Sequence, residues 1–351
     1  MSKVLVAMSG GVDSSVAAAL LKRDGHDVLG VHMKLHDEVK EVISKSCCGQ
    51  QDAIDANIVC SELNIPYFVT DYRAHFKKFV LQNFVEEYFN GRTPIPCTHC
   101  NGILKFNLLI ELAQTLGYDY VATGHYAQLI DNKLYKAFDS NKDQSYFLFP
   151  IDPLFRSKIL FPLATLTKEN VRALAKELDL PIADKQESQN LCFAPNGTHK
   201  EFLEKQIVTY LSGTSGLIKH ENGNTLGKHN GLHNFTIGQR RGLNITQSNN
   251  PLFVTRIDKD TSTVYVSDIR DANAVTSFRV DGWISWEEPT PTNDIEVVIR
   301  YRKNSIPVKT ISLDDVYGSK TIHIETPTVV TPGQAAVVYR QGQVIGGGWI
   351  R

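Results

Sequence analysis

Short apolar runs alternate with helix-period segments through the first half of the chain. Val4-Leu5-Val6-Ala7-Met8 predicts a buried parallel strand, and from Asp13 onward apolar residues return at Val16, Ala17, Leu20 and Leu21, the spacing of one helix face. "DVLGVHMKL" reads as a second strand, "QQDAIDANIVCSEL" as a helix and "PYFVTD" as a third strand. The amphipathic "YRAHFKKFVLQNFVEEYF" ends at Gly91, and "NGILKFNLLIELAQTLG" is a helix closed by Gly117. "YDYVATGHYAQLI" opens with a further strand, and "TKENVRALAKELDLP" is a helix capped by Thr167 and stopped before Pro181. This alternation predicts an α/β domain with a doubly wound, mostly parallel sheet over residues 1–204.

The pattern then changes. After the helix-like "THKEFLEKQIVTYL" come Gly, Asn and Thr with short alternating runs such as "NPLFVTRIDKDTSTVYVSD". In "IEVVIRYRK" Ile295, Val297, Ile299 and Tyr301 share one face of an expected strand, and Glu296, Arg300 and Arg302 share the other. "AAVVYRQGQVIGGGWI" reads as a hairpin. We expect a small β-rich central domain over residues 205–276 and a C-terminal β-barrel over 277–351.

Charge adds little to this picture: 37 lysine and arginine residues face 38 aspartate and glutamate residues, so an RNA site would be a local patch. No apolar run reaches membrane-spanning length, and the first strand begins without a basic, apolar leader, which predicts a cytoplasmic protein with no membrane partner. The six cysteines are too few for a disulfide scaffold in a chain of 351 residues. Cys60 falls at helical spacing with Ile54 and Ile58 and reads as a core thiol; Cys47, Cys48, Cys97, Cys100 and Cys192 fall in loops.

The first turn carries chemistry. In "VLVAMSGGVDSSVAAALL" a strand, two glycines and a helix meet, a geometry whose bare amides and positive helix end favour phosphate. It lacks the Gly-Lys-Ser/Thr of a Walker A loop and the G-x-G-x-x-G of a dinucleotide site. Ser9, Ser14 and Ser15 add hydroxyls, and Asp13 is placed to hold Mg²⁺ or orient a nucleotide, whereas the bland alternative makes Ser9 an ordinary helix cap. The string S-G-G-x-D-S-S resembles the pyrophosphate loop of the N-type ATP pyrophosphatases, which cleave ATP between the α and β phosphates and adenylate a substrate oxygen.

In "NGRTPIPCTHCNGILKF" the prolines forbid helix through the loop, so a helix is expected from Asn101 and Cys100 should lie near its positive end, with a lowered thiol pKa. Cys192 follows in "ESQNLCFAP". The ordered set "SGGVDSS", "VHM", "GRTPIPCTHCN", "ATGHYA", "KDQSYFL", "LPIADKQESQNLCF" and "GKHNGLHNFTIGQRRGL" resembles the tRNA-specific 2-thiouridylase family over nearly the whole chain.

That resemblance implies ATP-dependent 2-thiolation of the wobble uridine of the tRNAs for lysine, glutamate and glutamine, with tRNA and a sulfur donor, a cysteine desulfurase or sulfur-relay protein, as partners. It implies that Cys192 carries a persulfide, that Cys100 is the nucleophile or acid/base partner, and that the two form a disulfide to be reduced afterwards. By motif, Ala7, Met8, Ser9, Gly10, Gly11, Val12, Asp13 and Ser14 form the loop for ATP with Mg²⁺, Met33 meets adenine through its backbone, and Gly124 lines the pocket. Ile95, Pro96 and Cys97 border the target base; His125, Lys142, Asp143, Gln144, Arg300, Tyr301 and Gln334 contact tRNA.

Cys97 departs from the aspartate of many relatives. With Cys100 and Cys192 it makes a candidate ligand set for zinc or an iron–sulfur cluster, against the more common redox or catalytic role of a loop CxxC. His99 is expected to be a plain loop side chain. Two rival readings stay open: another adenylating amidotransferase or ligase of the pyrophosphatase type, which needs no paired thiols, and a non-catalytic zinc-containing RNA-binding protein, which needs no intact phosphate loop.

Overall fold

The computed structural model describes residues 1–36, 50–186, 191–194, 202–204, 215–245, 250–287, 294–314 and 318–351. Cys47, Cys48 and most of the helix expected in "THKEFLEKQIVTYL" lie outside the described residues. The chain divides into two compact units: Met1–Leu81, Cys97–Gly197 and Gly342–Val344 form one, and Gln82–Pro96, Thr198–Gln341 and Ile345–Arg351 the other.

The first unit contains β1 (Lys3–Ala7), α1 (Val12–Arg23), β2 (Asp27–Lys34), α2 (Gln50–Glu62), β3 (Tyr67–Asp71) and α3 (Arg73–Phe76). A π-helical turn at Lys77–Leu81 continues α3, and α4 (Gln82–Phe89), which follows it in the chain, belongs to the second unit. α5 (Pro96–His99) likewise passes through a π-turn at Cys100–Lys105 into α6 (Phe106–Leu116), which ends at Gly117 in the left-handed conformation at φ 73. There follow β4 (Tyr120–Ala122), the hairpin β5 (Gln128–Ile130) and β6 (Lys133–Tyr135), α7 (Ser145–Leu148), β7 (Ile159–Leu160) and α8 (Lys168–Glu177). Thr167 caps α8, as the sequence predicts, and Asn170 completes a capping box with it.

Five parallel strands run in the order β3-β2-β1-β4-β7, with Leu5 of β1 opposite Leu29 on one side and Val121 on the other. The strand order reverses direction at β1, so the crevice at the carboxyl ends of β1 and β4 is where such a sheet takes its ligand. Val4, Val6, Val16, Ala17, Val28, Val59, Cys60 and Ala122 share the core beneath it. Cys60 is fully buried and its thiol pKa is raised to about 12 by burial, so the core-thiol reading stands. Its expected companions do not: Ile54 and Ile58 are exposed on the other side of α2, because Cys60 instead packs against β2 at Gly30, where a Cβ would lie 2.5 Å from its sulfur.

The second unit holds a four-stranded sheet and a barrel. β8 (Gly216–His220), β9 (Thr225–His229), β10 (Phe253–Asp258) and β11 (Thr263–Ser267) pair in the order β10-β11-β8-β9, over a core that includes Ile218, Leu232, Phe235, Val254 and Val264. β12 (Val275–Ser285), β13 (Ile295–Val298), β14 (Ile306–Leu313), β15 (Lys320–Thr328), β16 (Ala335–Arg340) and β17 (Gln343–Ile350) run in the order β12-β15-β14-β13-β16-β17. β12 pairs with both β15 and β17, which closes the barrel. The predicted last hairpin turns through Gln341 at φ 48 and Gly342 at φ 83, the two positive φ values of the tight turn that suits twisted strands.

The expected strand "IEVVIRYRK" stops early. Ile295, Val297 and Ile299 are buried as the alternation requires, but β13 ends at Val298, and Arg300, Tyr301 and Arg302 form a turn with Arg302 at φ 59. Among the described residues no helix is long and apolar enough to cross a membrane.

Candidate active site

At the carboxyl end of β1 the chain turns through Ser9, Gly10 and Gly11 into α1. Met8 N donates to Val31 O at 2.8 Å, and the buried His32 ring lies with Nδ1 2.9 Å from Met8 O, so both sides of the entry to the turn are pinned to β2. Burial lowers the His32 pKa, which keeps the ring neutral with its proton on Nδ1 toward that carbonyl. Gly10 sits at φ +74 with a would-be Cβ 2.2 Å from Asp52 O, so no other residue fits there.

The cap residue of α1 is Gly11, and no side chain caps it, which corrects the reading of Ser9 as an ordinary helix cap. Ser14 Oγ instead accepts from Ser9 N at 3.1 Å and donates to Gly11 O at 3.1 Å, and Ser15 Oγ donates to Gly11 O at 2.9 Å. The first-turn amides of α1 are therefore left for a ligand, and the helix dipole favours an anion there. Gly124, just past β4, completes the wall: a Cβ would lie 2.6 Å from Ser14 N. Met33 extends past the end of β1, whose last partner on β2 is Val31.

Two lysines reach this turn from far along the chain. Lys168, the first residue of α8, is buried and its Nζ lies 2.6 Å from Asp13 Oδ1, which also accepts from Tyr126 Oη at 2.6 Å. Lys185 Nζ donates to Gly10 O at 3.0 Å, Asp52 Oδ1 at 2.6 Å and Asp55 Oδ2 at 2.5 Å. Burial opposes the Lys185 charge, but the hydrogen bonds and negative charges of Asp52 and Asp55 together raise its pKa, so it is a firm cation. Lys168 lies outside the motifs that carry the resemblance, and Lys185 lies within "LPIADKQESQNLCF" with nothing to single it out. A lysine in the first turn of a helix does oppose the dipole, and that is the one signal that could have flagged Lys168.

The thiols differ from expectation. Pro96 does not stop the helix but starts it, since a proline fits the first helical position, and Cys97 rather than Cys100 lies in the first turn. Cys97 is exposed. Cys100 is buried inside the continuous helical run, and burial raises its thiol pKa, with the Lys105 charge acting the other way. The expected lowering at a helix end is therefore overturned. Cys192 is half-buried; its neighbour Phe193 packs edge-on against Phe76 at 6.0 Å. α3, which carries Phe76, packs against the π-turn that carries Cys100, so both thiol segments rest on one helical layer. Among the described residues no three His, Cys, Asp or Glu side chains gather as a metal site.

Lys105 also acts on His125. That imidazole packs between Phe106 and Phe161 with Nδ1 2.8 Å from Thr123 Oγ1, and burial first, then Lys105, lowers its pKa to about 3. The ring is therefore neutral, and toward a nucleotide it offers a hydrogen bond rather than a charge. Replacing Lys105 with Met removes the positive charge that opposes burial at Cys100, so the Cys100 pKa should rise further. The rising limb of thiol alkylation against pH, followed on the Cys100 peptide, should move to higher pH; an unmoved limb would show that Lys105 does not act on this thiol.

The remaining expected RNA residues are held by the protein itself. Asp143 accepts from Ala137 N at 2.9 Å and from Ser145 N and Oγ at 3.1 and 2.9 Å. Gln144 Oε1 accepts from Tyr126 N at 2.9 Å and so positions the tyrosine that binds Asp13; Lys142 is half-buried nearby in sequence. In the other unit, Arg300 Nη2 donates to Ile237 O at 3.3 Å and to Thr331 Oγ1, Arg302 lies 5.2 Å over the Tyr301 ring, and Gln334 Nε2 donates to Thr93 O at 2.7 Å. Ile95 and Pro96 follow Thr93 and lead into Cys97.

Comparison with known proteins matches the chain to three domain families in succession: the tRNA methyl transferase HUP domain over residues 2–196, the tRNA methyl transferase PRC-barrel domain over 200–268, and the aminomethyltransferase beta-barrel domain over 275–350. The tRNA-specific 2-thiouridylase MnmA of Rickettsia massiliae (strain Mtu5) is 43% identical over 358 residues, covering 99% of this chain and 96% of its own. That of Anaplasma marginale (strain St. Maries) is 41% identical over 353 residues, covering 99% and 90%. Among solved structures, an NMN synthetase from Francisella tularensis aligns at TM-score 0.37 and 19% identity over 60% of this chain and 79% of its own. A 4-thiouridine synthetase–RNA complex with bound ATP aligns at TM-score 0.38 and 18% identity over 59% and 50%. With its three domains matched in order and relatives alike from end to end, the chain belongs to the tRNA-specific 2-thiouridylase family.

Proposed function

We propose that this protein is a tRNA-uridine 2-sulfurtransferase that uses ATP to replace the C2 oxygen of the wobble uridine in the tRNAs for lysine, glutamate and glutamine with sulfur. The observation that carries the reading is the pairing, in one unit, of an uncapped phosphate turn flanked by Lys168 and Lys185 with two thiols of unlike burial on one helical layer. The C2 oxygen is a poor leaving group, which is the reason to spend ATP. Ala7 to Ser14 receive the phosphates, Met33 offers backbone to adenine, and Gly124 leaves room beside them. The C2 oxygen attacks the α-phosphorus and pyrophosphate departs, while Lys168 and Lys185 stabilise the charge that develops.

Mg²⁺ would come in with the phosphates, and Asp13, whose Oδ1 already takes Lys168 and Tyr126, is a carboxylate of the turn that would help to hold it. When bound it would neutralise phosphate charge. The terminal sulfur of a persulfide on Cys192, loaded by a cysteine desulfurase or sulfur-relay protein, then attacks C2, and AMP leaves with the original oxygen. The Cys100 thiolate attacks the Cys192 sulfur, releases 2-thiouridine and leaves a Cys100–Cys192 disulfide for an external reductant. Ile95, Pro96 and Cys97 would border the base, and Lys142, Arg300, Tyr301 and Gln334 would meet the tRNA.

The domain descriptions speak of methyl transfer, which has no use for this phosphate turn. Nucleoside mass spectrometry of tRNA from a strain lacking the gene should show loss of 2-thiouridine and its return on complementation. Loss of a methylated nucleoside, with 2-thiouridine intact, would favour the other reading.

A further inference from the structure

The loop that leads to Ile95, Pro96 and Cys97 is gripped at one residue. Thr93 N donates to Pro332 O at 2.8 Å, Thr93 O accepts from Gln334 Nε2 at 2.7 Å, and Thr93 Oγ1 donates to Thr236 Oγ1 at 3.2 Å. Gly333, at φ +89, lies so close that a Cβ there would come within 2.9 Å of Thr93 N. The grip continues outward: Gln334 N donates to Thr331 O at 3.1 Å, and Arg300 Nη2 donates to Thr331 Oγ1 and to Ile237 O. Thr236 and Ile237 belong to the small sheet domain, Thr331 to Gln334 to the barrel. Every polar atom of Thr93 is thus spoken for by segments outside its own loop.

We infer that Thr93 is a positioning residue, which fixes the Ile95-Pro96-Cys97 loop according to how the Arg300–Thr331–Gln334 network is engaged. The inference rests on the proposed function, because it takes tRNA as the molecule that engages this network. An arginine and a glutamine bound to neighbouring oxygens exchange those partners readily for phosphate or sugar oxygens. Such an exchange at Gln334 releases Thr93 O, and at Arg300 it releases Thr331, so tRNA docking reaches the loop through one residue. Free protein would hold the loop in one setting and tRNA-bound protein in another.

The test uses the full chain with purified tRNA and a persulfide-loaded donor. Thr93→Val removes the hydroxyl while keeping the shape; Gly333→Ala keeps every hydrogen-bonding group and pushes a methyl against the Thr93 backbone. Each should lower kcat for thiolation by about tenfold or more, as a displaced reacting group does, with tRNA Kd and ATP Kd within about twofold of wild type. Thr93→Ser should restore turnover. In hydrogen exchange, tRNA should change protection at residues 94–100 of the wild type and not of Gly333→Ala. Wild-type kcat in both variants, or a loss confined to tRNA Kd, would overturn the inference while leaving the function intact. Absence of 2-thiouridine from wild-type reactions would sink the function, and the exchange experiment would still decide whether the loop responds to tRNA.

Discussion

Cys192→Ser should form no 2-thiouridine and keep no ³⁵S from a cysteine desulfurase, whereas Cys100→Ser should load ³⁵S on Cys192 and then stall. A carrier has to be reached by another protein, and Cys192 is the half-buried thiol of the pair, while Cys100 is buried. Burial also holds Cys100 protonated, since its pKa is raised, so it cannot compete as the first acceptor of sulfur. Its time comes once base and persulfide are in place and Lys105 supports the thiolate. Cys97, exposed in the first helical turn, is the thiol that stray label would find, so the label has to be assigned by peptide. Both variants should still adenylate tRNA, because adenylation precedes sulfur transfer. Label retained by Cys192→Ser at the wild-type level would remove it as the carrier.

Asp13→Ala should abolish tRNA-dependent release of AMP and pyrophosphate. The substitution removes the acceptor that holds both Lys168 Nζ and Tyr126 Oη, so it disorders the phosphate turn and takes the Asp13 carboxylate from a buried ammonium. Breaking a buried ion pair costs up to about 3–5 kcal/mol, so the melting temperature must be followed alongside activity. Lys168→Met removes the ammonium itself and should lower the rate of AMP formation by roughly 10²–10³-fold, the usual loss when one charge-stabilising group is removed. Thin-layer chromatography separates the outcomes: ADP and phosphate as products would refute cleavage between the α and β phosphates.

The local features of this fold were legible, and the long-range ones were not. The strand–turn–helix at Val4–Leu21, the Gly117 stop, the Thr167 cap and the closing hairpin are each decided by residues within a few positions of one another, where periodicity and turn chemistry operate. Lys168 reaches Asp13 across 155 positions, and Lys185 reaches Asp52 across 133; nothing local announces either pair. Pro96 misleads because proline breaks a helix interior yet costs nothing at the first helical position. That single misplacement carried the Cys100 thiol from a helix terminus to a buried interior and reversed the direction of its pKa. The π-turns at Lys77–Leu81 and Cys100–Lys105 each insert a residue that apolar spacing does not register. Arg300 looks like a solvent-facing residue by alternation and Gln334 enters only through the family resemblance, and only the tertiary fold gives them Thr331 and Thr93.

The central claim is that ATP activates the C2 oxygen itself, and isotope transfer tests it most directly. An anticodon stem-loop or full tRNA carrying ¹⁸O at C2 of the wobble uridine would be converted with ATP and persulfide-loaded enzyme, and the AMP examined by mass spectrometry. The account predicts one ¹⁸O in each AMP for each 2-thiouridine formed. Unlabelled AMP, with ¹⁸O released to water or kept in the base, would contradict it.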